Sequence, residues 1–188
     1  LTFLSDLYIN QKELNKAAEI YEKIIDIRKD NAYAYYNLGL IYGRLNLLDK
    51  AASNISKALE VDEKYIDAQM ILGTIYEIEN KDIEAIDEYR KVLEIDALNL
   101  EARRRLVQIY NKLGEKNQAL IENEEIITLY PNMAEAYLRG FSIHVTSKET
   151  TAAREILERA ISAGVEDSMV YASMGYLEGL HGNYEETI

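Results

Sequence analysis

The sequence predicts an all-α solenoid of antiparallel helix pairs, and three observations predict it. The first is self-similarity. Stepping by 34 from Ala17 gives Ala51, Ala85, Ala119, Ala153 and then Thr187, and stepping from Tyr8 gives Tyr42, Tyr76, Tyr110 and then His144. A fixed period of this length marks a stacked array of small repeats rather than one globular core. The second is that apolar residues recur at steps of three and four, and no segment alternates strongly enough for a strand. The third is punctuation, because Asn, Gly and the single Pro stand between the apolar stripes. The frame runs over 1–31 (partial), 32–65, 66–99, 100–133, 134–167 and 168–188 (partial) as one array.

Taken in order, the first repeat carries Leu4, Ser5, Tyr8, Ala17, Tyr21 and Ile24. The second is the most regular. Its first stripe is Ala34, Leu38, Ile41, Tyr42 and Leu45, and its second is Leu48, Ala51, Ala52, Ile55, Ala58 and Leu59. The third gives Leu72, Gly73, Tyr76, Ala85, Tyr89 and Val92, and the fourth Leu106, Val107, Tyr110, Ala119, Ile126 and Pro131. The last, with Met174, Gly175 and the run GNYEET, ends as its second helix begins. Asn46, Asn80, Gly114 and Gly182 occupy the turn within repeats, since Asn and Gly tolerate a left-handed helix end and Asn can cap the helix that follows. Asn31, Asn99 and Asn132 precede new stripes and are expected N-caps. Pro131 lies between repeats, where it breaks no helix.

The fifth repeat departs from this pattern. Gly140 stands at the Leu position, Phe141 at the small position and His144 at the Tyr position, and the turn VTSKETTAA lacks Gly or Asn. This predicts a splayed or shifted helix pair, unless Gly140 makes room for Phe141 locally.

The in-phase Leu38, Gly39, Tyr42, Ala51, Ile55 and Ala58, with their counterparts along the chain, resemble the tetratricopeptide repeat. The resemblance implies a right-handed superhelix whose first helices line a concave groove. A Gly of the first helix would face the Ala of the second, so that the two approach closely.

Composition narrows the function. The 188 residues are 48% hydrophobic, enough for a sizeable core. The 33 acidic residues against 21 basic give a net charge of −12, which argues against nucleic acid as the partner. There is no cysteine, so disulfides and thiol chemistry are excluded. This fits the cytoplasm without excluding export. No apolar run is long enough to cross a bilayer. Leu1 and Ile188 both fall inside repeats, which predicts a piece of a longer chain, with any address or anchor signal outside it.

Chemistry for catalysis is thin. His144 and His181 lie at different repeat positions, and no nucleotide-binding, nucleophile-elbow or metalloprotease motif occurs. No enzyme activity, cofactor or metal is expected. Glu84, Asp87 and Glu88, like Glu122, Glu124 and Glu125, read as solvated helix faces, and His144 as a packed, hydrogen-bonded residue.

Binding is better supported. The groove positions implied by the resemblance are Tyr33, Tyr36, Asn37, Leu40 and Arg44 in the second repeat. In the third they are Met70, Ile71 and Thr74, and in the fourth Arg104, Arg105, Gln108, Asn111 and Lys112. Leu138, Arg139 and Ser142 follow in the fifth. Tyr33, Tyr36, Leu40, Met70 and Ile71 make an aromatic and apolar stretch suited to adaptable recognition. Arg103, Arg104, Arg105, Lys112 and Arg139 make a basic cluster suited to carboxylates, or else pair with acids on adjacent helices. The family's carboxylate clamp is matched only at Asn37, and its asparagine ladder is absent.

The expected function is a non-catalytic scaffold that holds a protein or peptide segment, with acidic groups near the arginines. Two alternatives stay open. One is the substrate-recruiting region of a larger enzyme or of a secretion or assembly machine. The other is a self-assembling scaffold.

Overall fold

The computed structural model describes residues 2–185. Eleven helices and no strand occur among them. They are α1 (Thr2–Asn10), α2 (Leu14–Ile27), α3 (Ala32–Arg44), α4 (Leu48–Val61), α5 (Ile66–Ile78) and α6 (Asp82–Ile95). Then come α7 (Leu100–Leu113), α8 (Lys116–Leu129), α9 (Ala134–Thr146), α10 (Thr150–Ser162) and α11 (Ser168–Glu185). The fold is all-α, of the solenoid class built from helix hairpins. Second helices start at 14, 48, 82, 116 and 150, each 34 residues after the last. The chain divides into two compact units, Leu1–Ala102 and Arg103–Ile188.

Small side chains let the helices approach. Ala17, Ala51, Ala85, Ala119 and Ala153 are fully buried, as are Ala34, Ala68 and Ala102. In the first unit every helix from α1 to α6 packs against its neighbour in the chain. One core cluster gathers Ala17, Tyr21, Ala34, Leu38 and Ile41, and another Ala51, Ile55, Ala58, Leu72 and Ile75. Gly39 meets the Ala51 carbonyl, 3.2 Å from where a Cβ would stand, but its nearest neighbour is Ile55 at 2.7 Å. Gly73 meets Tyr89 at the same distance. The contact is thus made chiefly with the large residue four positions after the Ala, rather than with the Ala itself.

The turns within repeats form one series. Lys12, Asn46, Asn80, Gly114 and Lys148 all take positive φ, from 57° to 75°. The next amide in each case bonds back to the carbonyl of the Tyr-position residue: Glu13 to Tyr8, Leu47 to Tyr42, Lys81 to Tyr76, Glu115 to Tyr110 and Glu149 to His144, at 2.8–2.9 Å. This closes the helix end by a six-to-one bond. The fifth repeat therefore keeps the turn without Gly or Asn, because the backbone bond holds Lys148 left-handed. Asn46 and Asn80 serve this turn and do not cap the next helix, whose N-cap positions are Leu47 and Lys81.

Asn31 and Asn99 do cap, accepting from the amides of Ala34 and Ala102 at 3.0 Å. Asn132 does not. The repeat puts the cap of α9 at Met133, one residue later. Gly182 lies inside α11 rather than in a turn, since the helix runs on to Glu185.

In the second unit, Gly140 takes over the close approach. A Cβ there would lie 2.2 Å from Ile156 and 3.1 Å from the amide of Asn123, while Phe141 is half-buried. The contact between α9 and α10 is shifted by one residue relative to Gly39 and Gly73. A residue of α8 borders this contact. Asn123 fills the buried column occupied by Tyr21, Ile55, Tyr89 and Leu157, and donates to the Ala136 carbonyl at 2.9 Å.

Candidate functional site

In the first unit the candidate side chains come from α3 and α5. Tyr33 is 53% exposed, and Arg44 is also exposed. Tyr36, Asn37, Leu40, Met70, Ile71 and Thr74 are half-buried. Part of this surface is scaffold, because Tyr36 and Ile71 pack on the cluster around Ile55 and Leu72. The Tyr36 ring also meets Tyr65, with centroids 4.9 Å apart and planes tilted by 40°. Burial, with Tyr36 and Asp67 nearby, pushes the Tyr65 hydroxyl up to about 12. Burial raises Tyr36 as well, followed by Asp67 and Tyr33. These hydroxyls stay protonated at neutral pH and can donate. Asn37 donates to the Tyr33 carbonyl at 2.8 Å, which leaves its oxygen available. Thr74 donates to the Met70 carbonyl at 2.9 Å and lies 3.3 Å from the Tyr89 hydroxyl, which bonds to Glu77.

The second unit separates the three consecutive arginines. Arg103 turns to α8, bonding Glu122 at 2.9 Å and approaching Glu125 at 3.8 Å. Its side chain is 14% exposed, so it belongs to the hairpin seam and not to a ligand face. Arg104 turns to α9, where it bonds one oxygen of Glu135 while Arg139 bonds the other. Arg105, Leu138 and Arg139 are half-buried, while Gln108, Asn111, Lys112 and Ser142 are exposed. Asn111 and Ser142 line one cavity of about 330 Å³, with Gly114, Lys116 and Thr146. Beside it, Glu149 is shared by Lys116 and by His144, whose Nδ1 lies 2.9 Å away. Those two partners hold its carboxyl below the usual range. His144 is thus a hydrogen-bonded residue near the end of α9, and His181 lies outside the residues whose side chains are described.

Two polar residues overturn the reading of the acidic faces. Glu88 is 7% exposed and bonds Gln69, and Glu122 is held by Arg103. Both carboxylates stand at one repeat position and reach the same position on the preceding helix. Tyr65 and Glu135 also escape sequence reasoning. Tyr65 precedes α5 and so falls outside any helical stripe, and Glu135 reads as one more surface acid. Among the described residues no acidic or histidine cluster could hold a metal, and no helix is long and apolar enough to cross a membrane.

Family models described as TPR repeat and tetratricopeptide repeat match residues 6–46, 32–65 and 66–97. No curated protein sequence matches the chain. Among solved structures, MamA superposes with a TM-score of 0.72 at 20% identity, over 85% of this chain and 94% of its own. YrrB, described as a TPR protein with an unusual peptide-binding site, gives 0.69 at 22% identity, over 90% of this chain and 87% of its own. PilF of Pseudomonas aeruginosa gives 0.66 at 17%, over 98% and 84%. At these identities the likeness is one of fold.

Proposed function

Because the chain belongs to the tetratricopeptide-repeat family, we propose that it is a non-catalytic protein-interaction scaffold that takes a partner segment on the face of its first helices. The observation that carries this reading is the tyrosine group of Tyr33, Tyr36 and Tyr65. It offers large, partly exposed rings, and the hydroxyls of Tyr36 and Tyr65 remain donors. Such side chains give contact area at low entropic cost, with a polar handle for orientation. The peptide-binding site for which YrrB is described supports the same use of this fold. In the second unit, Arg104 and Arg139 share Glu135, so two guanidiniums face one carboxylate. An acidic group of the partner would join or displace Glu135 there.

The test starts from a partner fragment recovered by affinity capture, titrated against variants. Tyr36→Ala should weaken binding by about tenfold, in the range of an aromatic anchor. Arg104→Glu with Arg105→Glu should reduce both affinity and its dependence on salt while helicity is kept. Affinity unchanged in both variants would overturn the reading. Light scattering across concentration separates capture from self-assembly, because a scaffold that works by capture stays at constant mass.

A further inference from the structure

A second groove lies on the other side of the first unit. The helices α4, α5 and α6 enclose a cavity of about 740 Å³. Its floor on α5 is Gln69, Leu72 and Tyr76. At about 100° per residue, these project from the side of α5 opposite to Met70, Ile71 and Thr74. The groove is therefore separate from the tyrosine face.

Its lining is apolar below and acidic above. Leu59 of α4, Tyr76 of α5 and Ile95 of α6 give it apolar surface, while Leu72 is only 4% exposed. Glu60, Glu63 and Glu94 are exposed around it, and Glu88 is buried at its base. With Lys64 and Lys91, the lining holds four carboxylates against two ammonium groups. One oxygen of Glu88 takes the Gln69 amide and the other takes the Lys91 ammonium at 3.0 Å. The Lys91 side chain is 54% exposed, so this cation reaches a buried carboxylate from solvent. A cation entering from a ligand can take the same place, with Gln69 holding the carboxylate in position.

We propose that this groove binds a basic amphipathic segment of a partner protein. An apolar side chain of that segment sits on Leu59, Tyr76 and Ile95. Its Lys or Arg residues pair with Glu88 and with the rim carboxylates Glu63 and Glu94. The apolar floor supplies affinity, and the carboxylate excess selects the sign of the partner.

The probe is a fluorescent synthetic helix of Leu and Lys in amphipathic order, compared with the same helix carrying Glu for Lys. Fluorescence anisotropy with the 188-residue chain should show binding of the Lys peptide and none of the Glu peptide. The exposed pair Glu63→Lys with Glu94→Lys should weaken it by at least about tenfold. The pair Glu155→Lys with Glu158→Lys on α10, outside the lining of the groove, changes net charge equally and should leave affinity within about twofold. Circular dichroism checks that both variants keep their helices. Equal weakening by both pairs would show that binding follows net charge, and would overturn the proposal. So would equal binding of the Glu peptide, or loss of binding in Tyr36→Ala, which would move the site to the opposite face. Self-association abolished by the Glu63 and Glu94 reversals would make a second copy the occupant and would overturn it too.

Discussion

Arg103 of α7 donates to Glu122 of α8 at 2.9 Å, nineteen residues on, at the same two repeat positions where Gln69 of α5 donates to Glu88 of α6. Two successive hairpins are thus each cross-linked by a polar pair at this position. The pair at Arg103 and Glu122 is 14% and 16% exposed, so neither group has much water to fall back on.

Removing one member should cost far more than removing both. Glu122→Ala removes the 2.9 Å partner of a mostly buried guanidinium, and should destabilise by about 2–3 kcal/mol. Arg103→Met with Glu122→Leu should recover most of that loss. Urea titration followed by circular dichroism, analysed as a double-mutant cycle, measures the coupling. Additive losses would mean that the two residues act separately.

The turns offer a stabilising change. Lys12 and Lys148 hold φ of 62° and 60° at positions filled elsewhere by Asn46, Asn80 and Gly114. A side chain with a Cβ costs about 1–2 kcal/mol in this conformation, and Gly relieves it at some expense in the unfolded chain. Lys148→Gly and Lys12→Gly should each raise stability by about 1 kcal/mol, whereas Asn46→Lys should lower it by a similar amount. A thermal midpoint that falls in Lys148→Gly would contradict the assignment.

The hairpin frame is legible in the sequence because its causes are local and repeated. The Ala columns and the turn positions recur at fixed spacing, and the Ala columns need one residue type. What the period does not carry is pairing. Glu88 and Glu122 read as solvated surface because a polar residue on an amphipathic helix defaults to the outside, and their burial depends on a donor nineteen residues earlier. The turn at Lys148 is held by a backbone bond that any residue can make, so composition says nothing of it. Gly140 takes the close contact with Ile156 and Asn123, both on other helices, and Asn123 fills a column that holds Tyr, Ile or Leu elsewhere. At the candidate site, helix periodicity picks out the side of Tyr36 and Met70 but passes over Tyr65 in the loop. The separation of Arg103 from Arg104 follows from where Glu122 and Glu135 stand, which no run of three arginines reveals.

Two glycines of α3 should respond oppositely to the same substitution. A Cβ at Gly39 would lie 2.7 Å from Ile55 and 3.2 Å from a backbone oxygen, whereas one at Gly43 would meet nothing within 4 Å. Gly39→Ala should destabilise by about 1–3 kcal/mol through overpacking. Gly43→Ala should stabilise by about 0.5–1 kcal/mol through helix propensity. Gly73→Ala should be at least as costly as Gly39→Ala, since the ring of Tyr89 cannot yield as the end of Ile55 can. Urea midpoints of the three variants decide the order.

Alkali should weaken the first unit through its tyrosines. Tyr21 and Tyr65 are pushed from 10.0 to about 12 chiefly by burial. Tyr42 is pushed to about 12 by its 2.7 Å hydrogen bond to Glu22. Each folded value lies above the unfolded one, so the folded chain keeps protons that the unfolded chain releases. Their contribution is fully present below about pH 10 and is lost as pH rises towards about 12. Urea midpoints should be level up to that window and fall through it. Tyr65→Phe should flatten part of the fall, and a slope identical to that of the unaltered chain would rule Tyr65 out as a source.

The pairing around Glu135 gives a functional prediction with a definite sign. Arg104 and Arg139 bond different oxygens of this one carboxylate, which is 54% exposed, so it screens two cations from a ligand yet remains open to exchange with solvent. An acidic peptide must compete with it. Glu135→Gln keeps the shape and removes the charge, which leaves more of the guanidinium potential for the incoming carboxylates. Affinity for a synthetic peptide ending in consecutive Glu residues should rise by about three- to tenfold at low salt and converge with that of the unaltered chain as salt is added. Arg104→Gln should move affinity the other way. A Glu135→Gln variant that binds the peptide no better at any ionic strength would show that these arginines serve the α7–α9 contact alone.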